Sequence, residues 1–291
     1  MRKLSRWLLL ALTFCVAVAG FLIRRQQLAA ELMPDGSLAE GSSLHLLLAA
    51  LAGVLFVGLV AFLYPQPKKI SWQQVFPTAA VPNLLLLVSA IGLIAGNVLL
   101  WRSGSAASAA VVTQSPEVSR ALSMLLPPLG VVSAVCFAIF AVVRMAGKKP
   151  TPLLFMIASL YLIIRLIVCF QVWNTDPSIH DYAFQLLAAI CCMLGCFQLA
   201  GFSFDRGHLR MCLFWTLGAT AFCAFTVADT LHSGALSNVL INGALLLAMA
   251  TCSACLLFTD GPLPQPEETA PETAPENELP AEEPEEAKPE I

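Results

Sequence analysis

Eight stretches of the chain are apolar almost without interruption: 7–23, 44–64, 82–101, 123–146, 152–173, 182–204, 210–231 and 236–258. Each is close to the ~20 residues that a helix needs to cross the hydrocarbon of a bilayer. The pattern predicts an all-α, polytopic membrane bundle of eight transmembrane helices over residues 1–260. A polar tail follows over residues 261–291.

The breaks between the runs carry their own signals. The first run opens on the basic stretch MRKLSR and contains Ala17-x-Ala19, a cleavage-like pattern. Its apolar character nevertheless continues through Phe21, Leu22 and Ile23, so it reads as an anchor rather than a signal peptide. Between the third and fourth runs, Ser115, Pro116 and Glu117 form a helix start: a capping side chain, a proline whose missing N–H is harmless there, then an acid at the positive end. Pro127-Pro128 is expected to end that short interfacial helix and to kink or restart the fourth span, because an interior proline removes a backbone hydrogen bond. The tail, with PEETAPETAPENELPAEEPEEAKPE, has almost nothing to bury. It reads as disordered and solvated, with recruitment of a basic partner as the alternative.

Composition changes the solvent assumed for the chain. Hydrophobic residues make up 58% and charged residues 12% of 291 positions, against about 45–50% and about 25% in a soluble domain. The formal charge of −3 hides an asymmetry, since ten of nineteen carboxylates lie between Glu267 and Glu290. Without the tail the body has fifteen basic and nine acidic residues, net +6. With the N-terminus inside, Arg2, Lys3, Arg6, Lys68, Lys69, Arg144, Lys148, Lys149, Arg206 and Arg210 fall in cytoplasmic segments. Arg24, Arg25, Arg102 and Arg120 fall in outer loops. Retention of basic loops on the inner side therefore predicts a cytoplasmic-membrane protein with both termini cytoplasmic.

Polar residues within the runs suggest where function sits. Arg165 lies inside YLIIRLIVCFQVW, eight residues before Trp173, about 12 Å below the outer edge at ~1.5 Å per residue. An unpaired guanidinium at such depth costs at least about 2.5–3.5 kcal/mol, so it should face protein or water. Ala158, Tyr161, Cys169 and Val172 share its helical face and favour an inward orientation. Asp229 is the acid embedded in a span and the expected counter-charge, with Asp181 as its rival. Asn97, Gln171, Gln185, Asn238 and Asn242 fall at similar heights in the outer half, whereas the inner half has little beyond Gln198. Arg165, Asp229, Asn97, Gln185 and Asn242 thus form a candidate substrate-binding set. The competing reading is that they are packing hydrogen bonds of ~0.6 kcal/mol each.

Small residues mark close helix contacts: Gly92 and Gly96, Ala188, Cys192, Gly195 and Cys196, and Ala244, Ala248 and Cys252. They suggest that the last four spans form the tighter half. All ten cysteines lie in apolar runs, so neither a disulfide framework nor a metal centre is expected, despite Cys252-x-x-Cys255. His45, His180, His208 and His232 have no partner at ligand spacing, although His180 and Asp181 with Asp176 could bind a cation where ordinary turn chemistry is the plainer reading. No H-E-x-x-H, G-x-S-x-G or Walker loop occurs, which argues against an enzyme and against any cofactor. GFSFDRGHLR departs from the major-facilitator signature at Gly207 and reads as a tight charged turn.

Two functions remain. One is solute binding or transport through a polar pocket in the outer half of the bundle, with a small polar solute as partner. The other is an accessory or assembly subunit that holds a membrane protein partner. The lipid bilayer is a partner in either case, and nucleic acid in neither.

Overall fold

The computed structural model describes residues 3–31, 43–64, 79–103, 117–173, 183–204 and 206–258. Eight helices make up its regular structure: α1 (Lys3–Glu31), α2 (Ser43–Leu63), α3 (Ala80–Arg102), α4 (Glu117–Met145), α5 (Leu153–Trp173), α6 (Ala183–Ser203), α7 (Leu209–Ser233) and α8 (Leu236–Leu257). Each contains a stretch long and apolar enough to cross a bilayer, and the chain is a multi-pass membrane protein. In lipid every backbone N–H and C=O must be satisfied within the protein, and a helix does this segment by segment.

One stripe of each helix turns inward. On α2 the buried residues are Leu48, Ala52, Leu55, Leu59 and Leu63, spaced by three or four. Its opposite face leaves Leu46, Val54, Val57 and Val60 exposed, as lipid contact requires. The helices alternate in direction. We call the end at which α1 starts the near end and the end at which it terminates the far end.

Packing closes α3 to α8 into a ring. Each of these helices packs against the next in sequence, and α8 returns to α3 through the most extensive helix interface in the bundle. α1 packs outside the ring on α7, and α2 lies against α1 and α7. The α3–α8 seam depends on the small residues read from the sequence. A Cβ at Gly96 would lie 3.0 Å from both the Ile241 N and the Ser237 O, and one at Gly92 would lie 3.3 Å from the Ala244 Cβ. Ser89 Oγ also donates to the Ala244 carbonyl at 2.7 Å.

Four expectations change or sharpen. The first span is longer than 7–23, because α1 runs to Glu31 and carries Arg24 and Arg25 on the helix rather than in a loop. α4 continues from Glu117 through Pro127 and Pro128 without a break. Packing against α3 and α5 carries the helix past the two missing N–H groups, as neighbouring helices can do in a membrane. Ser115 and Pro116 lie outside the described residues.

The tight half is not α5 to α8. α7 and α8 are the most enclosed, at 72% and 61% buried, but α5 is 28% buried, and the close partner of α8 is α3. The charged turn after α6 is present: the Gly201 carbonyl accepts from the Phe204 and Arg206 N–H groups at 3.2 and 3.0 Å. Gly234, at φ 67°, takes the left-handed conformation that ends α7 and lets α8 start at Leu236. The acidic tail lies outside the described residues.

Candidate solute site in the helix ring

The far half of the ring gathers the polar side chains, but in two groups. The first surrounds Asp229 on α7. Arg24 of α1 donates from Nε to Asp229 Oδ1 at 2.6 Å, and both side chains are buried. Gln185 of α6 donates from Nε2 to the other carboxylate oxygen at 3.1 Å. Arg24 in turn donates from Nη1 to Gln27 Oε1 at 2.9 Å and lies over the Phe184 ring. This charge-assisted network joins α1, α6 and α7. Removing one member of such a buried pair costs about 3–5 kcal/mol, because the other charge is left stranded.

Arg165 therefore does not take Asp229 as its counter-charge. Its Nη2 donates to Asn242 Oδ1 at 2.7 Å, from α5 across the ring to α8. Its Nη1 is buried and has no hydrogen-bond acceptor. Tyr161 and Cys169, one helical turn to either side, are its further polar neighbours. No carboxylate pairs with Arg165 among the described residues, and Asp181, the rival partner, lies outside them.

A second bridge crosses the ring beside the first. Tyr161 OH of α5 donates to Asn97 Oδ1 of α3 at 3.4 Å, and Asn97 Nδ2 donates to the Leu93 carbonyl at 2.8 Å. Gly130 of α4 sits where any Cβ would overlap the Asn97 amide. The absence of a side chain there is what seats the asparagine between α3 and α4.

Between these groups is a cavity of about 30 Å³, walled by α5, α6, α7 and α8. Arg165, Gln185, Thr226 and Asn242 supply its polar lining, and Leu162, Ala189 and Leu245 part of its apolar lining. Cys192 and Cys223, whose sulfurs are 3.4 Å apart, complete one wall. The volume admits about two waters or one small ion.

Of the five residues expected at the site, Arg165, Gln185 and Asn242 line the cavity. Asp229 reaches it only through Gln185, whereas Asn97 and its partner Tyr161, one turn from Arg165, lie outside its lining. Asn238 takes no part, and the side chain of Gln171 lies outside those described, as do Asp176 and His180. Sequence reasoning missed Arg24 and Gln27. The signal was there: Val16, Gly20, Arg24 and Gln27 recur at helical spacing, and all four are buried against the bundle.

The near half is also less apolar than expected. Arg144 is 1% exposed, donates from Nη2 to Cys255 Sγ at 3.3 Å and lies over the Phe140 ring. Asn83 is fully buried with no partner for its amide. Asn97 meets Gly130 where α3 and α4 run antiparallel, so Asn83 and Arg144, each fourteen residues from that contact, stand at one level. All ten cysteines are free thiols, and no cluster of three or more His, Cys, Asp or Glu could hold a metal among the described residues.

Compared with known proteins, the chain matches no family model, no curated protein and no solved structure.

Proposed function

We propose that the protein binds a small polar solute in the cavity between α5 and α8 and carries it across the cell membrane. Arg165 carries this reading. A guanidinium inside a bundle costs several kcal/mol unless something answers its charge, and here a hydrogen-bonding N–H is left over beside an open space. Asn242 holds the guanidinium, Gln185 presents its amide under the restraint of Asp229, and Asn97 fixes Tyr161. The recognition is reversible and involves no catalytic step of the protein's own.

In this reading both termini are cytoplasmic, and the far end faces outward. The loop charges support it more strongly once the buried Arg24 and Arg144 leave the count, since ten basic residues against four become nine against three. A cysteine placed at Lys68 is expected to resist an impermeant thiol reagent in intact cells and to react after the cells are opened. Labelling from outside would invert the orientation.

The accessory-subunit reading loses its main support, because the small-residue faces that were to hold a partner are used inside the chain. Gly92 and Gly96 pack on α8, and Gly195 packs on Thr216 of α7. Native mass spectrometry of the protein extracted gently from its own membranes separates the two readings. A retained small polar species, lost in Arg165→Gln, is the expected result. A stoichiometric protein partner with no retained solute would overturn the transport reading.

A further inference from the structure

We infer that the occupant of the cavity is a monovalent inorganic anion of halide size. This rests on reading the cavity as a solute site and adds the chemical class of the solute.

Three observations converge on that class. The first is sign. Asp229, the only acid in a described membrane span, is already engaged by Arg24 at 2.6 Å, which leaves the Arg165 guanidinium as the charge that the cavity presents. A positive charge with no carboxylate paired to it among the described residues calls for one negative charge.

The second is donor geometry. Arg165 Nη1 has no acceptor, and Asn242, whose Oδ1 accepts from Arg165 Nη2, carries an amide nitrogen that can donate. Both residues line the cavity, and so do the Cys192 and Cys223 thiols, which are weak donors with polarisable sulfur. Few strong donors and an apolar remainder at Leu162, Ala189 and Leu245 suit a weakly hydrated ion better than sulfate or phosphate.

The third is size. About 30 Å³ holds about two waters, so a compact ion is the better match.

The test uses full-length protein in detergent, exchanged into sodium gluconate. Sodium chloride, bromide, lactate, phosphate or sulfate is then titrated at constant ionic strength while the unfolding midpoint is followed. Chloride and bromide are expected to raise the midpoint saturably, and the other three to leave it unchanged. Arg165→Gln should weaken the half-saturating chloride concentration at least tenfold, and Asn242→Ala should weaken it several-fold. Should Arg165→Gln fail to fold, Asn242→Ala and displacement of ³⁵Cl line broadening by bromide in the wild-type protein provide the same decision. A saturable, Arg165-dependent response to lactate or phosphate would overturn the halide assignment and leave the solute site standing. Absence of any saturable anion response, or a chloride response unchanged in both variants, would overturn the assignment and the Arg165 site together.

Discussion

Arg24 and Arg165 carry the same side chain at similar depth but are held in opposite ways. Arg24 has a carboxylate at 2.6 Å and a glutamine at 2.9 Å, whereas Arg165 has an amide oxygen and an unmatched N–H. Their substitutions should therefore move stability in opposite directions. Arg24→Leu strands the buried Asp229 and is expected to destabilise by about 3–5 kcal/mol, while the double variant Arg24→Leu/Asp229→Leu recovers most of that loss. Arg165→Leu removes a charge that has no counter-charge among the described residues and should unfold at or above the wild-type temperature in a halide-free buffer. Thermal unfolding of the purified variants checks both; a stability loss in Arg165→Leu as large as in Arg24→Leu would assign Arg165 a purely structural role. A charge swap extends the comparison: Arg24→Asp/Asp229→Arg should recover more folded protein than either single variant, and Arg165→Asp/Asp229→Arg should not. That Arg165 is inward was legible from its small and amphipathic neighbours. That Asp229 belongs to Arg24 was not, because hydropathy ended the first span one residue before the arginine.

Among the helices, two glycines that look alike in sequence differ in what a methyl group would meet. A Cβ at Gly96 would press on backbone atoms of α8 at 3.0 Å, and backbone in a packed seam cannot swing aside. Gly96→Ala is expected to cost about 1–3 kcal/mol by forcing α3 from α8. At Gly53 nothing lies within 4 Å, so Gly53→Ala should be neutral or slightly stabilising, by up to about 1 kcal/mol from helix propensity. The recovery of monodisperse protein after mild heating reads both. The small-residue motifs announced that close seams exist, and apart from half-buried Gly92 their residues are buried as expected. Which helix fills each seam was not readable, since a small-residue stripe is complementary to any other. The prolines of α4 show the same limit from the other side: a local rule predicts a break, and contacts with two neighbouring helices override it.

The ring of α3 to α8 gives the molecule an interior that two polar bridges cross, and α1 locks onto its outer wall. Cleavage after Ala19 would remove Leu9, Val16 and Ala17 from the core, so the mature protein is expected to keep its N-terminal residues. Intact mass of the protein purified from membranes decides this, and a species beginning near Gly20 would contradict it. The sequence by itself determined that eight segments are long and apolar enough to cross the membrane and that Arg165 and Asp229 are charges embedded within them. Those are properties of windows of about twenty residues, and transfer free energy sums locally along a helix. Only the tertiary structure decided which cation answers Asp229, a contact spanning 205 positions, and that α8 closes on α3. Arg165 is left beside a cavity for the same reason, since pairing among buried groups depends on the rotation and neighbours of each helix, which no local pattern encodes.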